Sequence, residues 1–272
     1  MSPEYTSHTI NVDGFRTHYL EAGEENDRTV VLIHSGEYGG CAEMSWQHII
    51  PSLSEKYHII APDMLGYGGS DKVFDFEDMF DRRMKHISSF LDVMNVDEAN
   101  FVGNSLGAGY LASLACESPP LDWPINKMVL ISGGGTTPEG FVDIIREFDG
   151  TREGMRTILD ELFYNPDRLS EEYVQTKVEK SRLPGHWQSL SAIRFEAPFD
   201  QNREFRRQHN YGNVNVPTHI IGGKQDNLHP KEELEKVAEE IGATMTFFDE
   251  CKHSAHIEHH DQVNEIIIDF FN

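Results

Sequence analysis

Short runs rich in β-branched and aromatic residues recur along the chain at Val30–Ile33, His58–Ala61, Asn100–Val102, Met128–Ile131, Thr218–Ile221 and Thr244–Phe248, after an alternating segment from Thr9 to Tyr19. Most are bounded by Gly, Pro, Asp or Asn, the residues that end strands. Between them lie helical patterns. In Phe80–Met94 the apolar residues Met84, Ile87, Phe90, Leu91 and Met94 follow i, i+3, i+4 spacing, and Leu106–Cys116 is a second such stretch. Strands that alternate with helices restrict the chain to an α/β architecture whose sheet is mostly parallel and covered on both faces.

The rhythm breaks after Gly133. The next stretch is charged and helical in pattern, with Phe141–Phe148, Arg152–Leu162 and Glu171–Lys180 separated by turn signals at Asn165-Pro166 and Leu183-Pro184-Gly185. Strand character resumes at Val216. We therefore expect residues 1–135 and 209–272 to form the core, with 136–208 inserted as a helical cap. A chain of 272 residues with 38% hydrophobic residues can bury a core of that size.

Lys and Arg number 23 against 46 Asp and Glu, a net charge of -23. Such a field repels phosphate backbones and anionic headgroups, so neither nucleic acid nor a membrane surface is an expected partner. The first residues lack a basic segment followed by an apolar run, and no stretch approaches the ~20 apolar residues of a membrane span, which makes a cytoplasmic location the expectation. Cys41, Cys116 and Cys251 are an odd number without CxxC spacing and read as free thiols.

The chemistry concentrates at Gly103-Asn104-Ser105-Leu106-Gly107, between the strand run Asn100–Val102 and the helical run from Leu106. GxSxG in that setting is a strained strand-to-helix turn that exposes the serine hydroxyl, with small flanking residues letting strand and helix approach. A serine hydroxyl is a poor nucleophile until a base takes its proton, and the base needs a carboxylate to orient it. Asp226, in the loop just beyond Thr218–Ile221, and His253, after the last strand, supply these in the order Ser, acid, His. The alternative acid position, Ser132-Gly133-Gly134-Gly135, contains no carboxylate. His256, His259 and His260 match neither HExxH nor HxxEH and read as a solvated polar face, with no metal. For an oxyanion hole, the backbone N–H of Leu106 and that of Gly36, in the loop after Val30–Ile33, are the candidates.

With Asp63-Met64-Leu65-Gly66-Tyr67-Gly68-Gly69-Ser70, these motifs resemble the α/β-hydrolase superfamily over nearly the whole chain. Within it the sequence is most similar to the meta-cleavage-product hydrolases, which cleave a C–C bond in ring-fission products of aromatic degradation. The stretches that carry this likeness are Val102 to Gly107, Phe163-Tyr164-Asn165-Pro166 and Ser181-Arg182-Leu183-Pro184-Gly185-His186. The resemblance implies that Asn104 helps bind the dienoate end of a substrate and that Arg182 binds its carboxylate, a task suited to a planar guanidinium. Ser35 and Ser254 join them as expected substrate-binding residues. The chain departs from the family at three places: Ser254 stands where a tryptophan follows the catalytic histidine, the HGGGxG-like loop reads His34-Ser35-Gly36-Glu37-Tyr38-Gly39, and Trp46 replaces an asparagine after Ser45.

The expected function is a serine-dependent hydrolase of a small carbonyl metabolite, cleaving a C–C bond in a diketone or ring-fission-type ketoacid. A carboxylesterase or lactonase working through an acyl-serine would use the same triad. A non-catalytic small-ligand receptor is the reading from another class, against which a complete Ser–Asp–His set speaks. No GxGxxG follows the first strand–helix junction and no P-loop is present, so no cofactor is expected. The partner is a small-molecule substrate, and a homo-oligomer is compatible with the sequence.

Overall fold

A strand buried on both faces must be apolar at every position, and Val30, Val31, Leu32 and Ile33 are all fully buried. In the computed structural model, which describes residues 5–116, 123–134, 139–195 and 210–272, they form the third of eight strands. The strands are β1 (Thr6–Val12), β2 (Phe15–Ala22), β3 (Thr29–Ile33), β4 (His58–Pro62), β5 (Ala99–Asn104), β6 (Ile125–Ile131), β7 (Thr218–Gly223) and β8 (Thr244–Phe248). They lie in the order β1-β2-β4-β3-β5-β6-β7-β8. β1 and β2 pair antiparallel, as do β2 and β4; every other pairing is parallel. The Thr9 to Tyr19 alternation is the β1–β2 hairpin. Its two-residue turn puts Asp13 at φ 52° and Gly14 at φ 85°, the left-handed pair that matches the twist of the flanking strands.

Successive strand residues face opposite sides of the sheet, which builds two cores from one set of strands. Val31, Ile33, Phe101 and Leu130 pack beneath α3 (Met79–Val93) and α4 (Leu106–Cys116), through Met84, Ile87, Phe90 and Leu111. Val30, Leu32, Val102 and Ile131 face the other way, toward Trp46 of α1 (Ala42–Trp46), Ile50 of α2 (Ile50–Leu53) and Val263 and Ile267 of α11 (His260–Phe271). The edge helix α9 (Lys231–Ile241) contributes Leu234 and Val237 to the first core.

Between β6 and β7 run α5 (Glu139–Glu147), α6 (Arg152–Leu162), α7 (Glu171–Ser181) and α8 (His186–Ser191). Thr151 and Ser170 cap α6 and α7, their hydroxyls accepting from the backbone N–H of Gly154 and Tyr173 at 3.0 Å each. A third apolar cluster joins these helices through Met155, Ile158, Leu159, Val174 and Val178. Tyr38 and Leu228 belong to it as well. Those two lie in the loops after β3 and β7, so the inserted helices rest over the carboxyl ends of the strands. The expected limits of the insertion, 135/136 and 208/209, lie outside the described residues.

Candidate active site

β5 ends at Asn104 and α4 begins at Leu106, leaving Ser105 alone at the junction with φ 53°. A left-handed conformation in a non-glycine residue costs on the order of 1–2 kcal/mol and persists only when its surroundings impose it. Here the Ser105 N–H donates to the carbonyl of Ile131 at 2.9 Å, and the Ser105 carbonyl accepts from Gly109 N–H at 2.9 Å. A Cβ at Gly107 would overlap the carbonyl oxygen of Ile33, and one at Gly103 would meet the backbone of Gly107 and Ala108. The two glycines of GxSxG thus let helix and strand close around the serine, whose own residue stays half-buried.

Asp226 sits just past β7. Its Oδ1 accepts from the backbone N–H of Leu228 at 2.8 Å and of His229 at 3.2 Å, which leaves Oδ2 for His253 at 2.9 Å. A carboxylate can only accept, so Nδ1 of His253 carries the proton and Nε2 is the basic nitrogen. Burial alone would raise the Asp226 pKa, yet the charge of His253 and its hydrogen bond hold it below the ordinary aspartate value. Nε2 of His253 is buried and has no hydrogen-bond partner among the described residues. The loop is tied down from above, since the N–H groups of His253 and Ser254 both donate to the carbonyl of Leu162 in α6, at 3.1 and 3.2 Å. His229 stacks on the His253 ring with centroids 5.6 Å apart, and burial pushes its pKa down to about 4, so it is a neutral neighbour.

A small cavity of about 10 Å³ lies between core and inserted helices. Ser35, Asn104, His253 and Ser254 line it on the core side, and Leu162, Phe163, Tyr173 and Lys177 on the other. That space holds about one water. Asn104 also donates from Nδ2 to the Ile131 carbonyl at 3.2 Å. Gly36 and Leu106 are both half-buried and adjacent, because a Cβ on Gly36 would run into the Leu106 side chain. Tyr67 holds the Gly36 carbonyl with a 2.8 Å hydrogen bond from its hydroxyl.

Arg182, expected at a substrate carboxylate, is not brought to this cavity. It is exposed, and its Nε donates to the carbonyl of Gly150 at 2.7 Å. The cation that lines the cavity is Lys177, fully buried and paired with Glu37. Burial would raise the Glu37 pKa, but the Lys177 charge and hydrogen bond bring it down to about 2. His256 corrects a second expectation: it is buried, not solvated, with its ring 5.1 Å from Trp46 and its pKa pushed down by burial to about 3. A spacing signal for Lys177 exists, since Val174, Lys177, Val178 and Ser181 share the buried face of α7.

The protein-family model for the alpha/beta hydrolase fold matches residues 29–260. The 2-hydroxy-6-oxo-6-(2'-aminophenyl)hexa-2,4-dienoic acid hydrolase of Metapseudomonas resinovorans is 30% identical over 276 residues, covering 98% of this chain and 91% of its own. The 2-hydroxymuconate semialdehyde hydrolase of Pseudomonas sp. (strain CF600) is 27% identical over 275 residues, covering 99% and 94%. Among solved structures, a mutant of the meta-cleavage product hydrolase CumD from Pseudomonas fluorescens IP01, complexed with acetates, superposes with a TM-score of 0.87 at 28% identity over 99% of this chain and 98% of that one.

Proposed function

The chain belongs to the α/β-hydrolase family, with meta-cleavage product hydrolases among its relatives, and from that premise we propose that it hydrolyses a C–C bond beside a carbonyl in a ring-fission-type ketoacid. The observation that carries the reading is the buried Asp226–His253 pair, whose Nε2, without a partner among the described residues, belongs to a residue lining the same cavity as Asn104, next to the elbow serine.

His253 Nε2 takes a proton from Ser105, directly or through the water that Ser105 activates, and the oxygen so generated adds to the substrate carbonyl. The N–H groups of Gly36 and Leu106 receive the developing oxyanion. As the tetrahedral carbon collapses, the C–C bond breaks and its electron pair leaves on the neighbouring carbon, which the enone system stabilises. His253 returns the proton to that carbon. Where the serine oxygen adds, water then hydrolyses the acyl–serine ester and restores the Ser105 hydroxyl. By either route the net change places OH on the acyl carbon and H on the leaving carbon, so one water is consumed per bond. Asp226 keeps the imidazole in the required tautomer and stabilises its charged form. The helices of 136–208 serve as the cap, and apolar side chains such as Leu162 and Phe163 set the size of the group accepted beside the carbonyl.

The test is turnover of a panel that pairs vinylogous 1,5-diketone acids with simple esters and lactones, with products identified. Cleavage of the diketone acids to a carboxylic acid and a shortened enol acid is expected. Turnover of esters or lactones alone would move the protein to the esterase reading.

A further inference from the structure

The loop that carries Gly36 is gripped from the inserted helices. Lys177 Nζ, on α7, donates to Glu37 Oε1. Gly39, at φ 75°, lies so close to α7 that a Cβ there would overlap the Lys177 carbonyl. Its N–H donates to Nε2 of His186, on α8, at 3.1 Å, and the same ring donates from Nδ1 to the Gly66 carbonyl at 3.0 Å. The far end of the loop is fixed within the core, where Asp63 accepts from Ala42 N–H at 2.7 Å.

A buried ion pair is a weak source of stability, because desolvating two charges offsets much of their attraction and an apolar pair of similar volume often does as well. What such a pair supplies is direction. Lys177 stands between Val174 and Val178 on the buried face of α7 and reaches a carboxylate one residue beyond the oxyanion donor. We propose that the Glu37–Lys177 ion pair is a positioning device, docking the oxyanion loop onto the cap so that Gly36 N–H keeps its aim at the reacting carbonyl. This rests on the active-site reading above. It makes the cap part of the catalytic geometry and not only a wall of the substrate cavity.

The titratable groups that face the pair are His34 and Cys41 from the loop, Tyr67 from the segment after β4, Tyr173 from α7, His186 from α8 and His256 after β8. Burial holds the three histidines below their ordinary value, His186 at about 4 and His256 at about 3, and the thiol and phenols above theirs. Removing Lys177 leaves Glu37 with the burial that raises its pKa and without the cation that lowers it.

The experiment measures kcat and KM from pH 5 to 9 with a chromogenic ester for the wild type, Glu37→Gln, Lys177→Met and the double variant, with Ser105→Ala as the control for the site itself. Both single variants are expected to lose roughly tenfold in kcat with KM changed less than threefold. Lys177→Met should show a further ionisation, that of Glu37, on its acid limb which the wild type and the double variant lack, while the double variant stays slow because the loop is still undocked. Glu37→Gln within twofold of wild-type kcat would overturn the proposal, and that variant decides alone if Lys177→Met does not fold. A slow Lys177→Met with unchanged pH limbs, or a double variant restored to wild-type kcat, would also overturn it. Failure of the C–C reading leaves this test intact, since the ester reports on the oxyanion loop whichever bond is the natural one.

Discussion

His253 donates from Nδ1 to Oδ2 of Asp226 at 2.9 Å, a contact between two buried side chains 27 residues apart in the chain. Everything the site can do with a proton follows from it, because the carboxylate decides which ring nitrogen is free.

Asp226→Asn should therefore disable the base without disturbing the fold. An amide can donate to Nδ1, which favours the tautomer with Nε2 protonated and unable to accept from Ser105. A fall in kcat on the order of 10³- to 10⁴-fold is expected, with Ser105→Ala at least as severe. Turnover measured beside a far-ultraviolet circular dichroism spectrum checks both. Near-wild-type activity in folded Ser105→Ala would remove the serine from the mechanism.

The buried histidines set the acid limit of stability. Burial pushes the pKa of His86, His186 and His229 down to about 4 and that of His256 to about 3, while the unfolded chain titrates near the ordinary 6.5. The unfolded state thus binds protons first as the pH falls. Stability is full above pH 6.5 and drops through the window from 6.5 to about 4, by on the order of 2–3 kcal/mol per histidine at its lower end. Relief of the -23 net charge acts in the opposite direction, but surface carboxylates protonate mainly below about pH 5. The melting temperature should already decline between pH 6.5 and 5. A constant value over that interval would contradict the assignment.

Gly107 tests the elbow from the structural side. Alanine there places a methyl group against the Ile33 carbonyl, backbone that a rotamer change cannot move. Overpacking of this kind costs about 1–3 kcal/mol, and the displaced helix start should also carry Leu106 N–H out of position. Urea unfolding should show the lower midpoint, and kcat should fall more than that stability loss accounts for. A midpoint equal to wild type would mean that strand and helix have slack between them.

How much of this could be read in advance depends on how local the signal was. The parallel strands announce themselves because burial on both faces forces continuous apolar runs such as Val30–Ile33, and α4 and α6 begin and end at the residues their patterns indicate. The Ser105 elbow is likewise contiguous. The Glu37–Lys177 pair joins residues 140 positions apart, and although spacing puts Lys177 on the buried face of α7, nothing local names Glu37 as its partner. His256 sits among other histidines in a polar-looking segment, and only the packing of α10 (Ala255–Glu258) against Trp46 reveals that it is interior.

Arg182 gives the sharpest contrast between motif and placement. The resemblance to the meta-cleavage-product hydrolases puts a carboxylate-binding arginine here, yet the side chain is exposed and spends its Nε–H on the Gly150 carbonyl, joining the end of α7 to the turn before α6. Gly150 has φ 81°, so its backbone is in a conformation that such a tether helps to hold. Loss of one part-exposed hydrogen bond to a charged donor costs about 1 kcal/mol. Arg182→Met should thus lower the unfolding midpoint slightly. It should change KM for a carboxylate substrate and for its neutral ester analogue by the same factor, below about twofold, because a guanidinium outside the cavity is screened by water and salt. The two KM values, measured side by side, decide the matter. A rise confined to the carboxylate substrate would mean that Arg182 swings from Gly150 to the ligand when the cavity opens, and would return it to the substrate-binding set with Asn104.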